Sequence, residues 1–186
     1  MNTGRKGLLL ILLLVFMLVG PLAPRPAHAL GTSRLVNLNS GLCLDDAGWS
    51  TNWGTPMIQY ACTGGSNQQW SVYYHYGNNQ AAQWVVLQNV YSGLCLRVFE
   101  GKTTTYGQII VQWGCDSNDL AQNLFQTESL QSGCNLTAFQ YQSVYIPGAQ
   151  PTGFMMEVYH ASRSNGGKVD IWYTNGTRTQ FWCGLF

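Results

Sequence analysis

Charge is scarce in this chain. Of 186 residues, nine are Lys or Arg, eight are Asp or Glu and three are His. With neither sign in excess there is nothing to neutralise a run of phosphates, which argues against a nucleic-acid partner. No two cysteines have CxxC spacing and no histidine stands beside one, so no metal site is expected. GxSxG and HExxH are missing and no Ser-His-Asp set assembles, so the chain reads as not an enzyme and as needing no cofactor. Beyond the N-terminal leader no stretch sustains an apolar helical period over three turns, which excludes a helical bundle. What remains abundant is Gly (21), Tyr (10), Trp (7) and Phe (7), with many Asn, Gln, Ser and Thr. Such a surface hydrogen-bonds neutral polar partners without strong Coulomb steering.

The leader is the exception to this polarity. Arg5 and Lys6 precede an apolar run from Leu8 to Val19, and Pro21, Pro24 and Pro26 lead to Ala27-His28-Ala29. A positive start, a short apolar run and a small-x-small end predict a secretory signal peptide over 1–29. The run falls short of the about 20 residues of a membrane helix, so no membrane span is expected after signal removal. Residues 30–186 then form one secreted, extracellular domain, with six basic residues against eight acidic ones. All six cysteines lie in that part, and an even number behind an export signal predicts three disulfides.

The stretch SGLCLDD, Ser40 to Asp46, returns as SGLCLRV, Ser92 to Val98. Aligned on it, repeats run over about 34–80 and 81–128. IQYACTGG, Ile58–Gly65, answers VQWGCDSN, Val111–Asn118, and SNQQW, Ser66–Trp70, is matched to AQNLF, Ala121–Phe125. A third, degenerate copy falls within 129–186: Gly153 aligns with Gly93, Met155 with Cys95, Trp172 with Trp113 and Thr174 with Cys115. Both cysteine positions of the unit are lost together there, which is what a bonded pair predicts. Cys43 is therefore expected to pair with Cys62, and Cys95 with Cys115, leaving Cys134 with Cys183. LVNL, VVLQNV, MIQY, IIVQW and VDIWY read as short strands between Gly, Asn, Ser and Asp clusters.

SGLCLD, a strand ending aromatic-x-Cys, and NQQW spaced after the cysteine together resemble the ricin B-type (R-type) lectin repeat. The resemblance implies an all-β fold, a β-trefoil of three homologous repeats stapled by disulfides, with one candidate sugar site per repeat. It carries ligand-binding positions onto Asp45, Tyr60, Asn67 and Gln68. The chemistry agrees. A carboxylate accepts charge-assisted hydrogen bonds from vicinal hydroxyls, an aromatic ring lies under the C–H face, and amides both donate and accept. In the second copy Arg97 replaces the carboxylate and cannot accept, beside Trp113, Gln122 and Asn123, so that site is expected to be blind or to read something other than a neutral hexose. In the third, Glu157, Trp172 and Gln180 keep their places while Thr179 replaces the first amide, giving a weaker site. Trp70, Phe125 and Trp182 are expected in the core, and Trp49 and Trp53 beside a ligand or packed on the surface.

The expected activity is non-covalent carbohydrate recognition, chiefly by the first repeat, of a galactose-type sugar or a plant polysaccharide. Two alternatives involve a partner protein: a receptor-binding subunit of a secreted toxin complex, or a polysaccharide-targeting module working with a separate enzyme.

Overall fold

The computed structural model describes residues 29–76, 82–101, 105–116, 119–122, 124–129, 138–143 and 154–184. The leader through His28, and Asn123, Cys134 and Gly153, lie outside them, as does the side chain of Phe125. Thirteen strands appear among the described residues. In the first repeat they are β1 (Ala29–Ser33), β2 (Val36–Asn37), β3 (Cys43–Asp46), β4 (Met57–Tyr60) and β5 (Trp70–Tyr76). The second has β6 (Ala82–Asn89), β7 (Cys95–Val98), β8 (Ile110–Trp113) and β9 (Leu124–Ser129). The third has β10 (Ala138–Ser143), β11 (Phe154–Val158), β12 (Gly167–Tyr173) and β13 (Phe181–Cys183).

Pairing closes a ring. β5 pairs with β6, β6 with β9, β9 with β10, β10 with β13 and β13 with β2, while β1, just before β2, pairs back onto β5. Closure removes the open sheet edges that invite aggregation. Three hairpins, β3–β4, β7–β8 and β11–β12, project from this barrel in matching register: Cys43 faces Tyr60, Cys95 faces Trp113 and Met155 faces Trp172. The all-β, three-repeat expectation is borne out.

The repeated SGLCL is explained letter by letter. Ser40 Oγ donates to Gln59 Oε1 (2.6 Å) and Ser92 Oγ to Gln112 Oε1 (2.7 Å), each tying the start of its hairpin to the returning strand. Gly41 and Gly93 adopt φ of 73° and 70°, a left-handed turn that glycine enters without strain. Cys43 is bonded to Cys62 and Cys95 to Cys115. Leu44 and Leu96 enter the core with Leu35, Met57, Met156 and Ile171. Cys183 is disulfide-bonded.

Two of the core slots assigned from sequence hold. Trp70 and Trp182 are fully buried, and each donates its indole N–H to a hairpin carbonyl, Leu44 O at 3.3 Å and Met156 O at 3.2 Å. In the second repeat the slot belongs to Leu124, which joins the same core cluster, so matching AQNLF to SNQQW sets the register one residue late. The correct match is Leu120–Leu124, and the insertion before it is one residue rather than two.

Candidate functional site

Each hairpin is followed by a single 3-10 turn: Ser66–Gln68, Leu120–Gln122 and Arg178–Gln180. The final glutamine of each turn is fully buried and makes the same two backbone contacts. Gln68 donates to Ala61 O (2.9 Å) and accepts from Thr63 N–H; Gln122 donates to Gly114 O (2.7 Å) and accepts from Asp116 N–H; Gln180 donates to Tyr173 O (2.7 Å) and accepts from Asn175 N–H. This glutamine locks the loop after each hairpin, and it places Gln122 in the slot of Gln68, with Ala121 in the slot of Asn67.

In the first repeat the turn is aimed at Asp45. Its Oδ2 accepts from Gln68 Nε2 (2.7 Å) and Asn67 Nδ2 (3.0 Å). Burial raises the Asp45 pKa above its ordinary value, and the Gln68 and Asn67 hydrogen bonds oppose the shift. Beside it opens a cavity of about 310 Å³ lined by Asp45, Gly48, Trp49, Ile58, Tyr60, Thr63 and Asn67. Tyr60 ends a strand whose residues alternate inward and outward, so its ring faces solvent, 42% exposed. Asn67 Oδ1 is buried without a hydrogen-bond partner among the described residues. The structure thus brings Asp45, Tyr60 and Asn67 around one concavity and sets Gln68 behind them, buried and fully hydrogen-bonded.

Sequence reasoning named Trp49 only as a flank and missed Gly48, Ile58, Thr63 and Gly65. A Cβ on Gly65 would stand 2.7 Å from Asn67 Oδ1 and 2.8 Å from the Trp49 ring, so the absent side chain lets both reach the site. Gly48 occupies the position held by Glu100 and His160 in the other repeats, and all three backbones are left-handed there.

The second site fills itself. Arg97 Nε donates to Asp119 Oδ2 at 2.6 Å, and the guanidinium lies 5.1 Å from the Trp113 ring centroid. Trp53, reaching across from the first repeat, packs on Trp113 at 5.0 Å. The third site keeps its frame: Glu157 Oε2 accepts from Gln180 Nε2 at 2.9 Å. Burial raises Glu157 above its ordinary pKa, opposed by hydrogen bonds from Gln180 and Thr179 and by the nearby His160. Its platform Trp172 is met edge-on by Tyr106 of the second repeat at 4.9 Å. Trp53, Tyr106 and Asn165 each precede a left-handed glycine, Gly54, Gly107 and Gly166, in equivalent loops. Two of these loops therefore put an aromatic ring on the next repeat's platform, while beside Tyr60 stands Asn165, whose Oδ1 accepts from Ala61 N–H at 2.9 Å.

Comparison with known proteins agrees with this geometry. Residues 24–113 match the family described as ricin-type beta-trefoil lectin domain-like. The fold superposes on a designed 3-fold symmetric protein, ThreeFoil, with TM-score 0.69 and 26% identity, covering 83% of this chain and 98% of that one. It also superposes on the Macrolepiota procera ricin B-like lectin, solved in complex with lactose, with TM-score 0.60 and 20% identity over 84% of this chain and 96% of that one. A 28-residue segment is 61% identical to the probable lipoprotein EnvE of Salmonella typhimurium, a match that spans 15% of this chain and only 16% of that protein. Three hairpins in one register, each followed by the same turn with its buried glutamine, give this chain the β-trefoil fold, and over residues 24–113 it is similar to the ricin-type β-trefoil lectin-like domains.

Proposed function

We propose that the chain binds carbohydrate non-covalently through the cavity of its first repeat. The observation that carries this reading is the contrast among three equivalent positions. In the first, a buried carboxylate oriented by two amides stands beside an open aromatic face. In the second, the same place is taken by an ion pair stacked on the platform. Asp45 accepts from sugar hydroxyls, Tyr60 carries the apolar ring face, and Asn67 holds the carboxylate in position while presenting its own amide. Gln68 acts through Asp45 as a positioning residue. Glu157, Trp172 and Gln180 form a weaker third site, narrowed by Tyr106 and with His160 at its lip. The ligand is a galactose-type sugar or a plant polysaccharide, and the chain works as a binding module, not an enzyme.

The disulfides fit an oxidising location, secreted or at the cell envelope, and no helix among the described residues is long and apolar enough to cross a membrane. One observation favours an added partner protein, as in a toxin receptor-binding subunit. Tyr106, Trp172, Tyr173 and Phe154 form a run of touching rings at 4.9–5.1 Å, with Tyr106 and Tyr173 exposed, a patch of the kind that marks contact surfaces.

Titration calorimetry against galactose, lactose, xylose and xylo-oligosaccharides, with Asp45→Ala alongside, tests the reading. Sugar binding in the mM range or tighter, about −4 kcal/mol or better, abolished by Asp45→Ala with the fold intact, is expected. Silence across the panel, or binding indifferent to Asp45→Ala, overturns it.

A further inference from the structure

Trp49 occupies a costly conformation. Its φ is 56°, in the left-handed region that a bulky residue rarely enters. The equivalent positions, four residues past Arg97 and Glu157, are Gly101 and Ala161, both also at positive φ. The backbone demands the turn in all three repeats, yet only the first sets a large ring on it. That ring is 48% exposed, lines the cavity, and meets Tyr91 edge-on at 5.0 Å with an interplanar angle of 84°.

Tyr91 is equally particular to this place. It stands two residues past Asn89, where the first repeat has Asn39 two past Asn37. There Asn39 meets the third repeat with its amide, donating to Ala161 O at 3.2 Å. The same geometric junction between neighbouring repeats is thus polar at the third site and aromatic at the first. Tyr91 is 43% exposed and Val90 beside it is exposed as well. The junction is held firmly. Asn89 accepts from the Tyr91 and Ser92 N–H groups and donates to Asn67 O at 2.9 Å, so the turn carrying Tyr91 is tied to the turn carrying Asn67.

We propose that Trp49 and Tyr91 form a second subsite continuous with the cavity, which takes the next ring of an oligosaccharide whose first ring lies against Asp45 and Tyr60. This rests on the carbohydrate reading of the first site. Two exposed rings set nearly at right angles make a corner that covers both the face and the edge of a pyranose, a shape suited to a chain rather than to a single sugar. Among the described residues that line the cavity, Asp45 is the one charged side chain, which suits a neutral saccharide.

The test compares affinities for galactose against lactose, and for xylose against xylobiose and xylotriose, in the full disulfide-bonded protein and in Tyr91→Ala and Tyr91→Phe. In at least one series the disaccharide should bind about tenfold tighter than the monosaccharide, the scale of one added aromatic contact. Tyr91→Ala should erase that gain while leaving the monosaccharide affinity within about twofold, and Tyr91→Phe should restore it, the ring being what matters. Equal affinities for mono- and disaccharide in both series, or a Tyr91→Ala loss that falls equally on the monosaccharide, overturns the subsite while leaving the first site standing. No binding of any sugar, with or without Asp45, overturns both.

Discussion

Gln112 of the second repeat donates from Nε2 to the carbonyl of Ser50 in the first, at 2.8 Å, and to Asn52 O at 3.1 Å. Gln59 does the same for the third repeat, to Ser162 O and Ser164 O. Each buried glutamine thus grips the loop of its neighbour, and the loop gripped by Gln112 carries both Trp49 and Trp53. At the third equivalent position Ile171 stands instead, and the loop is held by its backbone, with Gly107 N–H donating to Ile171 O at 2.7 Å. Because the frame already accepts an aliphatic residue there, Gln112→Leu should fold. Loss of the paired amide should cost about 1–3 kcal/mol, read by denaturant unfolding, and sugar affinity should fall as the loop bearing Trp49 loosens. Unchanged affinity at reduced stability would show that the loop keeps its shape without this grip.

Two acids run against ordinary behaviour. Asp46 and Asp170 are fully buried, with no hydrogen-bond partner on either oxygen among the described residues. Burial, then the charge of Asp45, pushes Asp46 up to about 7; only the Ser50 backbone N–H opposes this, without reaching hydrogen-bond geometry. Burial, then Glu157, pushes Asp170 up to about 7. The folded state therefore holds protons that the unfolded chain releases in the ordinary carboxylate range. Stability is fullest below that range, falls as pH rises toward about 7 and levels off above it. Tm should be higher at pH 5 than at pH 8, with each 1 kcal/mol worth about 2–4 °C in a domain of this size. Asp46→Asn with Asp170→Asn should flatten the profile. Sugar affinity should move the opposite way, weakening on acidification as Asp45 protonates and its capacity to accept declines.

Gly64 and Gly65 separate backbone strain from steric crowding. Gly64 has φ of 80° and open space where a Cβ would go. Gly65 has φ of −64° and ψ of 155°, open to any residue, but no room. Gly64→Ala should cost about 1 kcal/mol of stability from its left-handed backbone and leave sugar binding nearly intact. Gly65→Ala should displace Trp49 and Asn67 and weaken binding more than tenfold. Calorimetry and thermal unfolding on the pair would distinguish them, and equal affinities would remove Gly65 from the site.

The scaffold was legible because it is local. Ser40, Gly41, Cys43 and Leu44 act within one hairpin, and their copies at Ser92, Gly93, Cys95 and Leu96 announce the repeat. The slip in the second copy came from matching bulk to bulk. Phe125 resembles Trp70 in volume, but the slot is set by spacing from the turn glutamine, which gives it to Leu124. What joins one repeat to the next was not legible. Trp53 on Trp113, Tyr106 on Trp172 and Tyr91 on Trp49 are contacts between residues some forty to sixty-six apart, and no period within a repeat reports them. The difference between an open first site and covered second and third platforms lies in those contacts.

The same cross-repeat packing decides what the second site can regain. Arg97 and Asp119 are about four-fifths buried and 2.6 Å apart, and Asp119 also accepts from the Ala121 N–H. Removing the guanidinium leaves Asp119 its bonds from the Ala121 N–H and Gln122 Nε2, so Arg97→Ala should destabilise by about 1–3 kcal/mol. It should not create a sugar site, because Trp53 still lies on the Trp113 platform and Ala121 offers no amide where Asn67 stands. Arg97→Asp alone would set a carboxylate against Asp119 and should destabilise the fold further. Only a combined change, Arg97→Asp with Asp119→Ala, Ala121→Asn and Trp53→Asn, copies the first site's carboxylate, amide and uncovered ring. Calorimetry on that variant in an Asp45→Ala background should recover sugar binding lost from the first site. Recovery by Arg97→Ala alone would mean that the ion pair, and not the covering tryptophan, keeps the second site closed.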